Sequence, residues 1–342
     1  IIPMILVNGG KGIGTGFSYE VLQYNVLTIC KYLKNRLNGI KEEVDWTPYY
    51  ENFKGSIEKM DTGKFMIKGK YQTLSHDTIK VTELPIGLWT TNFKEHLEYL
   101  MDDKTPKGKK KKPLIKSFKD DCTDSLIDFT IRFTPGQLSN LATKKVDKYQ
   151  NMLEKTLKLT TTKGTTNMYL FDEKQQLKKY STVEAIIDRY YPVRFEGYEN
   201  RKKYQLKILE RKMNILNMKA RFIKEVMDGT IVLVKKKKKE VIEILKNKNY
   251  KIIDEDKDYG YLRSLPVDSM EEENWKKLLN DLKDCEKAYI TLKKKTVQKM
   301  WTEELEELEV EFKKYQKERE KRVYGVVNKK SKIKKTKKKP VK

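Results

Sequence analysis

At 342 residues the chain is long enough for two or three domains, each with its own core. Its 74 Lys and Arg against 49 Asp and Glu leave a formal charge of +25, an excess that fits a polyanionic partner, nucleic acid before acidic membrane. No apolar run reaches the roughly 18 residues of a membrane span. The three cysteines stand far apart, and the two histidines are not clustered with them, so a soluble chain with reduced thiols, no membrane and no metal site is expected.

The chain opens on IIPMILV, in mid-element and without an initiator Met, as expected of the C-terminal portion of something larger. GGKGIGTGFS follows at 9–18. A Walker loop needs Gly-Lys-Ser/Thr at its end, but Lys11 precedes Gly12, Gly14 and Gly16. A dinucleotide loop counted from Gly10 and Gly12 would need glycine where Thr15 stands, and from Gly12 and Gly14 where Phe17 stands. Neither nucleotide motif fits. What remains is a tight turn, or a backbone shaped to present Ile13, a β-branched apolar residue between two glycines.

From 20 to 190 the pattern is mixed. VLTICKYLKNRL at 26–37 has helical spacing and stops near Gly39. The runs GSIEKM, KFMIKGKYQTL, TIKVTELP, SLIDFTIRF and TTNMYLF predict strands, TTNFKEHLEYLMDD a helix, and KTPKGKKKKP an exposed loop. Beyond about 181 the texture changes to long charged helices. Leu206, Leu209, Met213, Leu216, Ala220, Ile223 and Met227 form one heptad seam. A second seam runs Trp275, Leu278, Leu282, Cys285, Tyr289, Leu292 and resumes after a phase break at Trp301, Leu305, Leu308, Phe312 and Tyr315. Two such seams predict an antiparallel coiled coil with a small knob between them. The fold class expected is α+β: a mixed domain, then a long antiparallel coiled coil with a small globular tip. The last twenty residues hold nine lysines and no acid.

IIPMILVNGGKGIGTGFS closely resembles the segment just beyond the DNA-cleaving domain of eukaryotic-type type II DNA topoisomerases. YYENFKGSIE, VTELPIGLWTTNFKEHLEYL, MYLFDEKQQLKKYSTVEAIIDRYYPVRFEGYENRKKY, ARFIKEVMDG and YGYLRSLPVDSMEEE resemble further blocks of that family, in its order, over roughly 1–320. The resemblance implies a DNA-wedge segment and tower entry at 1–40, a tower domain at 41–180, coiled-coil arms at 181–230 and 271–322, and an exit-gate dimerisation tip at 231–270. The basic tail, 323–342, falls outside it. By the same resemblance Ile13 inserts between base pairs of double-stranded DNA, with Lys11, Gly12, Gly14 and Thr15 as the surrounding DNA-binding residues. Gly12 and Gly14 are expected to let the backbone approach the minor groove. Tyr259, Tyr261, Leu262, Leu265 and Met270 are the residues expected at a homodimer contact, with packing of the knob itself as the alternative.

The family's nucleophilic tyrosine, magnesium-binding domain and ATPase domain have no counterpart in these blocks, so no catalytic residue is assigned here. ATP and Mg2+ are implied for the parent enzyme and none for this portion. The short basic end fits a large-DNA-virus member or a truncated form, working in the nucleus, or in the host nucleus or cytoplasm. Two other functions stay open from the residues alone: an architectural DNA-bending protein and a coiled-coil scaffold.

Overall fold

A computed structural model of the chain describes residues 1–60, 63–103, 110, 112–253 and 258–336, with the side chains of 267 and 324–336 left aside. The chain forms two units, Ile1–Tyr191 with Glu304–Lys342, and Pro192–Glu303. The first is discontinuous in sequence and the second is an insertion within it.

Unit 1 opens with helix α1 (Met4–Asn8), which ends at Gly9 with φ +66°. Strands β1 (Gly10–Gly14) and β2 (Phe17–Val21) then form an antiparallel hairpin. Helix α2 (Val26–Leu37) lies where spacing predicts it. The Asn25 side chain accepts from the Leu27 N–H at 2.8 Å, capping the first turn, while Ile29, Cys30, Leu33 and Leu37 make a single buried stripe.

Strands β3 (Ser56–Lys59), β4 (Lys64–Lys68), β5 (Lys70–Ser75) and β6 (Thr78–Glu83) lead to helix α3 (Thr90–Met101). Strands β7 (Ile115–Asp120) and β8 (Phe129–Phe133), then helices α4 (Gln137–Thr143) and α5 (Met152–Thr156), complete the middle of the unit. The expected KTPKGKKKKP loop lies largely outside the described residues. An antiparallel sheet of order β5-β6-β8-β7 carries the main core. Its period-two alternation puts Ile79, Val81, Phe129, Ile131 and Phe133 on one buried face. Phe93 and Leu97 of α3 belong to the same core, with the Phe93 and Phe129 rings edge to face at 5.1 Å.

Strand β9 (Thr160–Gly164) returns to pair with β4, giving a second sheet of order β3-β4-β9. β4 is central there, and Phe65, Met66 and Ile67 are all buried, as a strand covered on both faces requires. A last hairpin, β10 (Met168–Phe171) and β11 (Leu177–Tyr180), precedes the long helix α6 (Val183–Met227).

In unit 2, helices α7 (Lys238–Asn247) and α8 (Gly260–Arg263) and a 3-10 turn (Val267–Met270) lie between α6 and helix α9 (Glu272–Lys294). α6 and α9 pair in opposite directions. Lys202 Nζ donates to the Lys293 and Lys295 carbonyls at 3.2 and 2.6 Å, Cys285 Sγ to the Leu209 carbonyl at 3.7 Å, and Trp275 Nε1 to the Ala220 carbonyl at 3.4 Å. The predicted phase break after Leu292 is the gap between α9 and helix α10 (Val297–Thr336). There Thr296 Oγ1 accepts from the Lys299 N–H at 3.2 Å, and Lys202 closes the freed carbonyls. Beyond the gap, Trp301 is fully buried and stacks on Tyr198 at 5.3 Å. Along the expected seam Leu206, Leu209, Met213 and Leu216 are half-buried, Ala220 and Ile223 are buried, and Met227, where the helix ends, is exposed.

Candidate nucleic-acid interface

The β1–β2 hairpin pairs Gly14 with Phe17, Ile13 with Ser18, Gly12 with Tyr19 and Lys11 with Glu20. Strand alternation therefore puts Lys11, Ile13, Ser18 and Glu20 on one face and the glycines with Phe17 and Tyr19 on the other. Thr15 and Gly16 close the turn, Gly16 at φ +72° where a side chain would be strained. Ile13, next to that turn, is 82% exposed. An apolar side chain so exposed on a short hairpin contributes little to the fold and is free to meet a partner.

The glycines divide into two kinds. A Cβ at Gly12 would lie 2.4 Å from Tyr19 Cε1, and one at Gly10 would lie 3.0 Å from Tyr19 Cε2. The Tyr19 ring thus lies across the bare backbone of both positions. At Gly14 the nearest atom would be the Phe17 carbonyl oxygen at 3.7 Å, so that position is open. The two glycines expected at a groove thus differ in their surroundings: the missing side chain of Gly12 makes room for Tyr19, whereas Gly14 faces open space.

The hairpin is held along β2 by residues 163 and 167. The Glu20 N–H donates to the Asn167 carbonyl at 2.9 Å, Asn167 Nδ2 donates to Ser18 Oγ at 3.0 Å, and Lys163 Nζ lies 2.6 Å from Glu20 Oε1. Glu20 is thereby occupied by Lys163, and among the described residues Lys11, across the strand from it, has no ion-pair partner. Lys11 and Ile13 thus share a face, one cationic and one apolar, at the free end of a braced hairpin. Such a surface suits a polyanion with an apolar interior, which is a description of duplex DNA.

The other candidate residues lie in unit 2, in a separate core around α7. Tyr259 and Leu262 are buried among Phe222, Ile231, Leu245 and Tyr250, so the expectation that these two face a second copy is corrected by burial. Tyr261 and Leu265 are half-buried against the same core, Tyr261 donating its hydroxyl to the Lys251 carbonyl at 2.7 Å. Met270, at the end of the 3-10 turn, is half-buried. Among the described residues the exposed apolar side chains of the knob are Val232, Val234 and Ile252, with Val234 76% exposed. Sequence spacing had no means of finding them, because a short irregular segment carries no periodicity from which to read a face. Among the described residues no group of three or more His, Cys, Asp or Glu could hold a metal ion, and no helix is long and apolar enough to cross a membrane.

A family model described as the A-type subunit of DNA gyrase/topoisomerase IV matches residues 1–306. The chain belongs to this family of type II DNA topoisomerases. It is 33% identical to the DNA topoisomerase 2 of Acanthamoeba polyphaga mimivirus over 90% of its own length and 28% of the relative's. It is 34% identical to the Plasmodium falciparum enzyme, covering 91% of this chain and 24% of that one, and 33% identical to rat DNA topoisomerase 2-alpha, covering 91% and 22%. A crystal structure of the Plasmodium falciparum topoisomerase II DNA-binding, cleavage and re-ligation domain matches with a TM-score of 0.80 at 34% identity, covering 93% of this chain and 45% of that one. The chain thus spans roughly a quarter of the length of these type II topoisomerases, and its mixed α+β fold matches part of that solved core.

Proposed function

We propose that this chain is the gate-DNA-binding and exit-gate portion of an ATP-dependent type II topoisomerase, which passes one duplex through a transient break in another. The observation that carries this is Ile13, exposed at the end of a glycine hairpin in a chain of that family. Ile13 wedges a base step of the bound duplex from the minor groove while Lys11 engages an adjacent phosphate. Unstacking a step costs on the order of a few kcal/mol, offset by the phosphate contacts that a bent duplex permits. Gly14 and Thr15 lie at the rim of the wedge, and Gly12 acts at one remove by seating Tyr19. Breakage and ATP hydrolysis belong to parts of the parent enzyme outside these residues, with ATP and Mg2+ as its cofactors.

The parent works as a homodimer in which the α6–α9 pair acts as a coiled-coil arm carrying the knob to a two-fold contact. Of the residues first expected there, Tyr261, Leu265 and Met270 remain candidates, joined by Val232 and Val234. The enzyme acts where genomic DNA lies, in the nucleus, or in the host nucleus or cytoplasm for a viral member. The test is ATP- and magnesium-dependent decatenation of interlinked circles by the parent enzyme, with Ile13→Ala alongside, and end-to-end fluorescence transfer on a bound duplex. A sharp loss of both decatenation and bending is expected in the variant. Unchanged bending would remove Ile13 from the mechanism.

A further inference from the structure

The β10–β11 hairpin carries a second exposed surface that the wedge does not use. Its register pairs Tyr169 with Lys179 and Phe171 with Leu177, so these four side chains share one face. Phe171 is 71% exposed and Leu177 is also exposed. Lys179 Nζ stands 5.7 Å from the centre of the Tyr169 ring. The Tyr169 ring in turn meets Phe17 edge to face at 5.4 Å, which joins this face to the wedge hairpin on the side opposite Ile13.

The connecting loop is tied by its own hydrogen bonds and its acids are occupied. Asp172 Oδ1 accepts from the N–H groups of Lys174 and Gln176, both at 2.9 Å, and the Asp172 N–H donates to the Gln176 carbonyl at 2.9 Å. Lys178 Nζ lies 2.7 Å from Asp172 Oδ2, and Arg189 pairs with Glu173. Both loop carboxylates are therefore neutralised internally. Among the described residues Lys174 and Lys179 have no ion-pair partner. The hairpin thus presents an aromatic and an aliphatic side chain on the same face as Lys179, which stands over the Tyr169 ring, with Lys174 in the adjoining loop.

We propose that this face, centred on Phe171 and Lys179, is a second duplex-DNA contact that grips the strand opposite the one met by Lys11. A hairpin whose tip enters a minor groove about 6 Å wide has one sugar-phosphate backbone on each side. Lys11 serves the side that Ile13 faces. Phe17 and Tyr169 lead from the other side to Lys179, which takes a phosphate, while Phe171 and Leu177 cover deoxyribose. The inference rests on the reading of the β1–β2 hairpin as a DNA wedge.

The experiment measures affinity of the 342-residue chain for a fluorescent duplex from 50 to 200 mM salt, for the native chain, Lys179→Gln and Ile13→Ala, with bending read on the same duplex. Removing a single phosphate interaction should lower the salt slope by about one and reduce affinity somewhat under tenfold near 0.1 M salt. Lys179→Gln should show this with its bend retained, whereas Ile13→Ala should lose bend with its slope retained. A photoreactive benzoylphenylalanine at position 171 should crosslink to the duplex. Because these side chains are exposed, melting temperature should not move and folding failure is not at issue. An unchanged slope for Lys179→Gln while Ile13→Ala loses bend would overturn this proposal and leave the wedge intact. Crosslinking from position 171 to a second copy of the chain instead of DNA would also overturn it. Absence of any duplex binding by the native chain would overturn the wedge reading itself.

Discussion

Substituting Gly12 by alanine tests whether Tyr19 is what the bare backbone serves. The new Cβ would sit 2.4 Å from Tyr19 Cε1 and 3.0 Å from Cδ1, well inside contact distance. Either the ring swings off the strand, giving up its cover of Gly10 and Gly12, or the hairpin distorts. Overpacking of this kind costs about 1 to 3 kcal/mol, the lower figure applying if the half-buried ring moves freely. Gly14→Ala is the internal control. Its Cβ would meet only the Phe17 carbonyl oxygen at 3.7 Å, and Gly14 does not have a positive φ, so the change should be near neutral or stabilising by a few tenths of a kcal/mol. Amide hydrogen exchange of the paired residues Ser18 to Val21 reads the local opening free energy directly. Gly12→Ala should lose protection there by roughly five- to a hundredfold, at about 1.4 kcal/mol per factor of ten. Combining it with Tyr19→Ala should give less than the sum of the two changes, because the clash goes with the ring. Equal losses for Gly12→Ala and Gly14→Ala, or strict additivity with Tyr19→Ala, would refute this account of the glycines.

Trp301→Ala removes a fully buried ring stacked on Tyr198, whose own ring the guanidinium groups of Arg194 and Arg201 each approach at 5.2 Å. A loss of about 3 to 5 kcal/mol is expected, visible as earlier urea unfolding of unit 2 by tryptophan-independent circular dichroism. The Asp172 carboxyl is held down to about 2 by the Lys178 ammonium and the Gln176 and Lys174 amides. Since this is below its unfolded value, the loop's stabilisation is complete above pH ~4 and is lost as pH falls toward 2; amide exchange in β10–β11 should follow that course, and Asp172→Asn should flatten it. Burial pushes the Cys30 thiol up to about 12, whereas half-buried Cys122 rises only to about 11. Maleimide at pH 8 should therefore label Cys122 first and reach Cys30 only on unfolding, which mass spectrometry of the labelled peptides would establish.

Local patterns were readable to the degree that they are periodic. α2 has the bounds its spacing predicts, because an N-cap, one apolar stripe and a following glycine all agree. On α6 the counted positions grade from half-buried at Leu206 to buried at Ile223 and exposed at Met227, since heptad counting does not say how deeply a position packs or where a partner stops. Ile13 stood out by composition, yet the partner of Gly12 did not, because only the register that sets Gly12 against Tyr19 reveals it. Tyr259 and Leu262 show the limit most plainly. Apolar side chains in a forty-residue knob must first fill the knob's own core, and sequence alone does not separate those from the ones left outside. Phe171 was concealed in a predicted strand whose alternation makes one face inward and one outward without saying that the outward face lies beside the wedge.

The discontinuity of unit 1 sets an order of events during synthesis. Lys34 pairs with Glu309 at 2.6 Å, Gln316 Nε2 donates to the Tyr49 hydroxyl at 2.9 Å, and Arg319 pairs with Glu51. None of these can form until α10 has left the ribosome, after all of unit 2 has been made. The two ends of unit 2 meet within it, where Tyr198 stacks on Trp301. Closing that insertion turns a separation of more than 250 residues into a short effective loop for the contacts that follow. At roughly 5 to 20 residues per second, the N-terminal half of unit 1 waits many seconds for its last helix. The polar side chains of Tyr49 and Glu51 keep that waiting surface from being wholly apolar.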